Sequence, residues 1–246
     1  MSALFGHTRT TVKARHALIA PDGHVPSALP GFSKAVPYFM ISPAMGADLT
    51  QLLIRFEAGG VAAFPADGIE TVLYVETGKC EVQIGTKKKV LKAGGYAFAP
   101  ASMELKFTAS AASTATLFRK FYEPLAGYGS PALIFGDATK IAGLPFLGNA
   151  KALLKTLLPS DDLAYDLAMN IFTYQPGATL PFVETHIMEH GLLMLAGQGV
   201  YRLEEAYYPV TAGDVIWMAP YCPQWFVAMG DEPASYLYYK NVNRVE

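Results

Sequence analysis

The stretch VETHIMEHG, residues 183–191, holds the densest group of side chains able to do chemistry. Glu184 and His186 are two residues apart, so in a strand both side chains leave the same face. His190 follows four residues later and can return to that face after a bend or through the next strand. Together with Gln224, these residues offer two imidazoles, one carboxylate and one amide carbonyl. A mixed nitrogen and oxygen set without a thiolate suits Mn²⁺ or Fe²⁺ better than structural zinc.

The alternative interpretation is that His186 and His190 are ordinary buried histidines. A lone histidine would favour that alternative, but two of the five histidines lie here with a glutamate and a glutamine nearby. We therefore favour a metal site. The other three histidines, His7, His16 and His24, lie in the N-terminal arm without partners, and we assign them no role.

A second group of reactive side chains lies near the end of the chain, in Tyr236-Leu-Tyr-Tyr-Lys240. In a strand, Tyr236, Tyr238 and Lys240 share one face. A lysine facing a barrel interior needs a carboxylate partner or a lowered pKa, and a lowered pKa suits a general base. The alternative is a lysine at a strand end that reaches solvent. Tyr201 is a further pocket candidate, although a core tyrosine explains it nearly as well.

The elements that position these residues are predicted to be strands. The 17 prolines and 22 glycines separate short runs rich in β-branched and aromatic residues, which is typical of strands joined by turns. Helical periodicity is scarce, and its best candidate is Ala150–Leu158, which Pro159 ends. The sequence therefore predicts an all-β protein.

An internal repeat links the two halves of the chain. The segments VLYVETGKCEVQIGTKKKVLKAGGYAFAP and GLLMLAGQGVYRLEEAYYPVTAGDVIWMAP agree in the order and spacing of their turn residues. Gly78 aligns with Gly197 and Gly94 with Gly213, an offset of about 119 residues. We infer two copies of one β unit.

The first copy lacks the candidate ligands of the second. The residues aligned with the four candidate ligands are Pro65, Asp67, Thr71 and Glu104. No histidine occurs from residue 25 to residue 185, so we expect no transition metal in the first copy. Its expected role is packing and oligomerisation. Asp67, Glu70 and Glu104 form either a residual acidic pocket or, as we favour, surface or hydrogen-bonded carboxylates.

Composition excludes several classes of protein. The net charge of -2 and pI of about 6.2 give no electrostatic case for nucleic acid, and the basic run 87–89 is interpreted as a solvated turn. No stretch approaches the roughly 20 apolar residues that span a bilayer, and no signal peptide is evident. We predict a soluble, cytoplasmic protein. Cys80 is predicted to lie in the core, and Cys222 near the site as a bystander, a pocket wall or a reactive thiol.

The candidate ligands and the turn residues around them follow a two-block pattern, Glu184-x-His186-x3-His190-x6-Gly197 and then Gly213-x6-Pro220-x3-Gln224. This pattern resembles the signature of cupins, with substitutions. Cupin first blocks carry His, His and Glu in that order, and second blocks end in His. The chain has Glu, His and His, and then Gln.

The resemblance implies a particular fold. We expect two tandem cupin barrels, each a double-stranded β-helix or jelly-roll. Residues 1–125 are predicted to form an N-terminal barrel with an arm and no metal, residues 126–160 a connection, and residues 161–246 a metal-binding barrel.

Within the cupins, the chain is similar to the (S)-ureidoglycine aminohydrolases, bicupins of purine (allantoin) degradation. The similarity covers most of the chain. The motifs that carry it are Gly68-Ile-Glu-Thr71, Glu184-Thr-His186-x3-His190-Gly191 and Tyr236-x3-Lys240-x2-Asn243-Arg244. The Glu-Thr-His string with its following Glu-His-Gly is fairly specific.

Membership of this group implies a site and a reaction. One Mn²⁺ per chain, with Fe²⁺ or another divalent ion as the alternative, is expected on Glu184, His186, His190 and Gln224. The reaction is hydrolysis of (S)-ureidoglycine to (S)-ureidoglycolate and ammonia. Lys240 and Glu184 are the expected catalytic residues. The residues expected to bind this ureido amino acid are Glu184, Gln224, Tyr236, Lys240 and Tyr201.

The resemblance also implies a homo-oligomer, with no nucleic-acid or membrane partner. Two other functions remain open at this point. One is another metal-dependent cupin enzyme, a dioxygenase or an isomerase, and the other is a non-enzymatic cupin that binds a small molecule. No helix-turn-helix is visible, which argues against a transcription factor.

Overall fold

The computed structural model describes residues 8–241 and residue 244. Over those residues the protein is all-β, as predicted, with twenty strands and three 3₁₀ turns, Pro21–Gly23, Pro43–Met45 and Ala138–Lys140. No helix in this part of the chain has the length and apolar character needed to cross a membrane. His7 and Asn243, both named above, lie outside the described residues.

The strands follow one another along the chain at short intervals. They are β1 (Thr11–Val12), β2 (His16–Ile19), β3 (Ser33–Ile41), β4 (Leu49–Phe64), β5 (Ile69–Thr77), β6 (Lys79–Ile84), β7 (Lys87–Lys92), β8 (Gly95–Ala99), β9 (Leu105–Ala109), β10 (Ser113–Phe121), β11 (Ile134–Asp137), β12 (Leu144–Phe146), β13 (Asn149–Thr156), β14 (Ala168–Tyr174), β15 (His190–Ala196), β16 (Gln198–Leu203), β17 (Ala206–Thr211), β18 (Val215–Met218), β19 (Gln224–Met229) and β20 (Ala234–Lys240).

These strands form three sheets in which the neighbours are antiparallel. The first half builds a nine-stranded sheet in the order β11-β8-β5-β10-β4-β9-β6-β7, with β3 also paired to β4. The second half builds an eight-stranded sheet, β1-β2-β18-β15-β20-β14-β13-β12, and a three-stranded sheet, β17-β16-β19. In β6 and β16, buried residues alternate with more exposed ones, because each strand has one face on a barrel interior.

The internal repeat is visible in the backbone. The hairpins β6–β7 and β16–β17 have strands of equal length and the same register, and each follows a glycine with positive φ, Gly78 at 74° and Gly197 at 70°. A Cβ on Gly78 would lie 2.6 Å from the carbonyl oxygen of Ala112, and one on Gly197 would lie 2.5 Å from that of Pro233. Each hairpin therefore requires glycine at the same place.

Apolar side chains form three cores. One lies inside the first barrel around Phe107, and one lies inside the second barrel around Phe226. The third lies between the barrels and draws residues from both, including the fully buried Trp217. There Phe118 stacks on Tyr239, with ring centroids 6.2 Å apart and planes 6° from parallel. The two halves are joined by this shared core.

Each half also contributes an edge strand to the sheet of the other half. Strand β2 pairs with β18, whereas β11, which comes after the first half, pairs with β8 of the first half. In both places a 3₁₀ turn follows the exchanged strand. The boundaries at residues 125 and 160 remain a prediction.

Polar contacts hold the exchanged N-terminal strands in place. The guanidinium of Arg9 binds both carboxylate oxygens of Asp214, at 2.5 and 2.7 Å. His16 is buried, with Nδ1 3.1 Å from Glu204 Oε2 and Nε2 2.9 Å from the Tyr208 hydroxyl. Our expectation that His16 lacks partners was wrong, because its partners lie almost two hundred residues away in the sequence.

The predicted helical candidate Ala150–Leu158 was also wrong, since most of it is strand β13. The segment pairs with β12 on one side and with β14 on the other, where Leu154 lies opposite Phe172. Ala152 is buried between more exposed neighbours. Alanine, leucine and lysine favour helices locally, but pairing on both sides outweighs that preference.

A buried polar cluster lies where the two halves meet. Lys120 Nζ donates to Asp166 Oδ2 at 2.7 Å, and the backbone N–H of Glu123 donates to the same oxygen at 2.8 Å. Asp166 Oδ1 and both oxygens of Glu70 are buried without a hydrogen-bond partner. Burial raises the pKa of Glu70, and the neighbouring Asp166 raises it further. A proton on Glu70, donated to Asp166, gives Asp166 Oδ1 a donor and occupies one of the two Glu70 oxygens.

We expect Glu70→Gln to stabilise the protein at pH 8 and to have little effect below about pH 4. The unfolded chain ionises Glu70 above a pKa of about 4.3. The folded state keeps the group protonated, so the native protein loses stability as pH rises toward the raised folded pKa. Urea unfolding at several pH values measures the difference. Glu104→Gln, on an exposed carboxylate, is the control, and a pH-independent effect of Glu70→Gln would contradict the assignment.

Candidate active site

A cavity of about 190 Å³ opens into the second barrel. Its wall contains all seven residues that the sequence singled out, together with Tyr238 and an apolar lining. The seven are Glu184, His186, His190, Tyr201, Gln224, Tyr236 and Lys240. The predicted site residues, which are up to 56 positions apart in the sequence, therefore share one cavity.

Strand ends position most of these side chains. His190 begins β15, Gln224 begins β19 and Lys240 ends β20. Glu184 lies in an isolated bridge to Gln224, with its N–H donating to the Gln224 carbonyl at 2.8 Å and the reciprocal bond at 2.9 Å. His186 lies in the loop that follows, so the pair expected on one strand is divided between a bridge and a loop. Both side chains nevertheless face the cavity.

The imidazole of His186 is at the centre of the group. Its Nε2 lies 3.1 Å from Nε2 of His190 and 3.0 Å from Nε2 of Gln224. The Glu184 carboxylate oxygen Oε2 is 4.0 Å from the same nitrogen. The polar ends of all four side chains thus converge on one region of the cavity.

His190 is held as a neutral imidazole. Its Nδ1 donates to the backbone carbonyl of Tyr239 at 3.0 Å, which leaves the lone pair of Nε2 facing the cavity. Burial lowers the pKa of His190 to about 3, and the neighbouring His186 adds to the effect. A neutral ring whose other nitrogen is held by a carbonyl is the usual state of a metal-ligating histidine.

The donor set fits a divalent ion in chemistry and in spacing. Two atoms that each bind one ion at about 2.1 Å and at right angles lie about 3 Å apart, which matches the two shorter distances. Within the described ranges, no three acidic, imidazole or thiol groups already surround one point, and Glu184 lies farther from His186 than the right-angle spacing. Coordination by Gln224 also requires its amide to turn so that Oε1 faces His186.

Lys240 lies directly opposite His190 in the pairing of β15 with β20. Burial lowers the pKa of Lys240, and the negative charge of Glu184 opposes that shift. Burial raises the pKa of Glu184, and Lys240 opposes that shift in turn. The amine and the carboxylate therefore both titrate closer to neutrality than in water, and both face the cavity.

Phenols form the polar part of the inner wall. The Tyr236 hydroxyl lies 3.2 Å from that of Tyr174, and the Tyr201 hydroxyl donates to Gln224 Oε1 at 3.4 Å. Burial raises the pKa of Tyr201 and Tyr236 well above the usual value, so both remain neutral hydrogen-bond donors.

Sequence reasoning missed the apolar part of the wall. These residues are Phe146, Phe172, Leu180, Met188, Leu192 and Met218. Single apolar residues on separate strands carry no signal that would distinguish a cavity wall from an ordinary core. Phe146 comes from β12, in the segment predicted to be a connection. Cys80 is buried in the first barrel, as predicted, and Cys222 is buried but does not line the cavity.

Strand register corrects the alignment of the first half. Ile84 pairs with Leu105 in the first barrel, as Leu203 pairs with Gln224 in the second. The apolar Leu105 therefore occupies the position of Gln224, whereas the expected counterpart, Glu104, is exposed.

An arginine occupies the corresponding centre of the first barrel. Arg119 lies opposite Thr71 in the sheet, as Lys240 lies opposite His190. Its guanidinium donates to Thr71 Oγ1 and Asp67 Oδ2, both at 3.3 Å, and stacks 4.3 Å from the ring centroid of Phe64. Asp67 and Thr71, the residues aligned with His186 and His190, therefore already bind a cation of the protein itself.

Comparison with known proteins agrees with this geometry. Residues 170–239 match the model of the cupin domain family. That match spans β14 to β20, the strands that surround the cavity. Fold and site together define a cupin.

Relatives then give a narrower family. The chain is 40% identical over 240 residues to the probable (S)-ureidoglycine aminohydrolase of rice, covering 97% of this chain and 77% of the relative. It is 34% identical to the (S)-ureidoglycine aminohydrolase of Escherichia coli K12, covering 93% and 88%. The crystal structure of protein Ylba from E. coli superposes with a TM-score of 0.87 at 33% identity, covering 98% and 96% of the two chains. The chain belongs to the (S)-ureidoglycine aminohydrolase family.

Glu189 fixes the loop that carries the candidate ligands. Glu189 Oε1 accepts from the buried Trp217 Nε1 at 2.7 Å. We expect Trp217→Phe to lower the free energy of unfolding by about 1.5–3 kcal/mol, because a buried carboxylate loses a donor. Urea unfolding checks this.

The matched control is Trp225→Phe. Trp225 Nε1 donates to the neutral carbonyl of Leu180 at 2.9 Å in a half-buried position. A loss of about 0.5–1.5 kcal/mol is expected there. Equal losses at the two tryptophans would contradict the assignment.

Proposed function

We propose that this protein hydrolyses (S)-ureidoglycine to (S)-ureidoglycolate and ammonia in purine degradation. One observation carries the proposal. Relatives that bear the name of this activity match 93–97% of the chain, and the residues expected to perform it here line one cavity. The reaction breaks the bond between the α-carbon and the amine and forms a bond from that carbon to a water oxygen.

We further propose that Glu184, His186, His190 and Gln224 hold one divalent ion, Mn²⁺ in the first place and Fe²⁺ as the alternative. The neutral imidazoles, the carboxylate and the amide support this set. A bound ion would act as a Lewis acid and would fix the substrate carboxylate and an adjacent nitrogen. Glu184 would also contact the departing amine.

Lys240 is the proposed proton carrier. Its lowered pKa makes the neutral amine available to take a proton from the incoming water, and the resulting ammonium can give that proton to the leaving amine. Water thereby supplies the hydroxyl of the product and one hydrogen of ammonia. Tyr236 would orient the substrate through its neutral hydroxyl, and Tyr201 would support Gln224.

The remaining assignments are part of the same proposal. The first barrel would serve packing and oligomerisation, the active protein would be a homo-oligomer, and its location would be the cytoplasm. The occupied centre around Arg119 supports a structural role for the first barrel.

We expect Lys240→Met to lower turnover by about 10²–10⁴-fold while the protein retains its metal. The assay is ammonia release from freshly generated ureidoglycine, with metal per chain measured in parallel. Lys106→Met, on an exposed lysine of β9, is the matched control. Full turnover in Lys240→Met would remove the proton-transfer role. Release no faster than the uncatalysed background by the native enzyme, across several metals, would overturn the proposed reaction.

Elemental analysis is expected to give one divalent ion per chain. His186→Ala should abolish binding because it removes the central nitrogen of the group. Asp67→Ala, at the equivalent position of the first barrel, should leave the stoichiometry unchanged. Two ions per chain would contradict the asymmetry between the barrels.

A further inference from the structure

A second cavity, of about 230 Å³, lies at the rim of the contact between the barrels. One wall is the face of β4, β5 and β10 that points away from the interior of the first barrel. Residues of β15 and β18 form the opposite wall, and Pro21 of the first 3₁₀ turn covers one side. This cavity shares no lining residue with the candidate active site.

His24 contributes two unpartnered nitrogens to this cavity. Both Nδ1 and Nε2 are buried from solvent, and neither has a hydrogen-bond partner. Burial lowers the pKa of His24, and the nearby Arg55 contributes, so the ring is neutral and offers one donor and one acceptor. Leaving such groups unsatisfied is unfavourable, and a ligand with a matching donor or acceptor removes that cost.

Arg55 and Glu76 add opposite charges to the same wall. Arg55 is exposed at the mouth of the cavity. Its guanidinium lies 4.9 Å from the ring centroid of Tyr38 and has no ion pair among the salt bridges of the described residues. Glu76 Oε1 accepts from Thr116 Oγ1 at 2.6 Å. Burial raises the pKa of Glu76, and Arg55 opposes that shift. A cation, a carboxylate and a neutral imidazole thus face one small space.

The other half of the molecule shows that the fold does not need these polar groups. By strand register, Thr173 is the counterpart of Arg55. Arg55 pairs with Thr114 in the first half, and Thr173 pairs with Ser235, the counterpart of Thr114, in the second half. Glu76 corresponds to Leu195. His24 follows its 3₁₀ turn as Ile141 follows the turn Ala138–Lys140.

The three counterpart residues are uncharged. Ile141 and Leu195 pack against the core between the barrels, and Thr173 hydrogen-bonds to Ser235 at 3.2 Å. The same scaffold position is therefore stable with apolar and hydroxyl side chains. The other half has a lysine near its turn, but Lys155 Nζ donates to the Ala138 carbonyl at 2.9 Å. Because the set of arginine, glutamate and unpartnered histidine occurs in one half alone, it points to a ligand.

We propose that this second cavity binds a small amino or ureido acid. The ligand carboxylate pairs with Arg55 and accepts from His24, and a ligand N–H group a few ångströms away donates to Glu76. A molecule with both groups matches the balanced charge of the wall, whereas a simple anion offers Glu76 no donor beyond Thr116. The site is separate from the proposed active site and does not depend on the proposed reaction.

The test is calorimetric titration of the full-length, metal-loaded protein with N-carbamoylglycine. Arg55→Thr and Glu76→Leu place the residues of the other half at the two charged positions, and Lys106→Met is the charge control. We expect a binding component that weakens about tenfold or more in each of the first two variants and persists in the control. Binding unchanged in both variants overturns the proposal.

Three further measurements keep the result interpretable. Acetate, which lacks the N–H group, should bind the native protein more weakly than N-carbamoylglycine, and Glu76→Leu should remove that preference. Crystals of the native protein soaked with N-carbamoylglycine should show it beside Arg55, and an empty cavity would also overturn the proposal. Ammonia release without the probe should be unchanged in Arg55→Thr, which separates this site from the catalytic one.

Discussion

The pairing of β15 with β20 is the constraint on which the candidate site depends. It sets His190 opposite Lys240, and it brings the Tyr239 carbonyl within reach of His190 Nδ1. One ladder therefore places an imidazole and an amine in the same cavity and fixes the tautomer of the imidazole. The loop of residues 184–189 then only has to bring His186 and Glu184 to a centre that the sheet has already defined.

The same constraint operates in the first half with a different result. The equivalent ladder places Arg119 opposite Thr71, and the guanidinium reaches Asp67. A permanent positive charge at this position disfavours a metal ion by direct repulsion. Duplication of the scaffold thus preserved the geometry of the centre, while substitution at a few positions changed what the centre holds.

Much of the fold and site could be read from the sequence because the signals were local or periodic. Turn glycines such as Gly78 and Gly197 recur at a fixed offset, and the ligand spacing around His186 depends on a bend of a few residues. The exchange of β2 and β11 could not be read in this way, since each pairs with a partner far along the chain. Glu104 was misaligned because a one-residue shift near Pro100 is invisible without strand register. Segment β13 was misassigned because helix preference is local and sheet pairing is not.

The exchange of edge strands has a consequence for how such a chain can arise. Each eight- or nine-stranded sheet is complete only with a strand from the other half, so a single unit of this repeat would leave one sheet edge open. Two identical units that traded these strands would form a closed, two-fold symmetric dimer. The chain has the architecture of such a dimer fused in tandem, and within one fused chain the two centres can carry different residues.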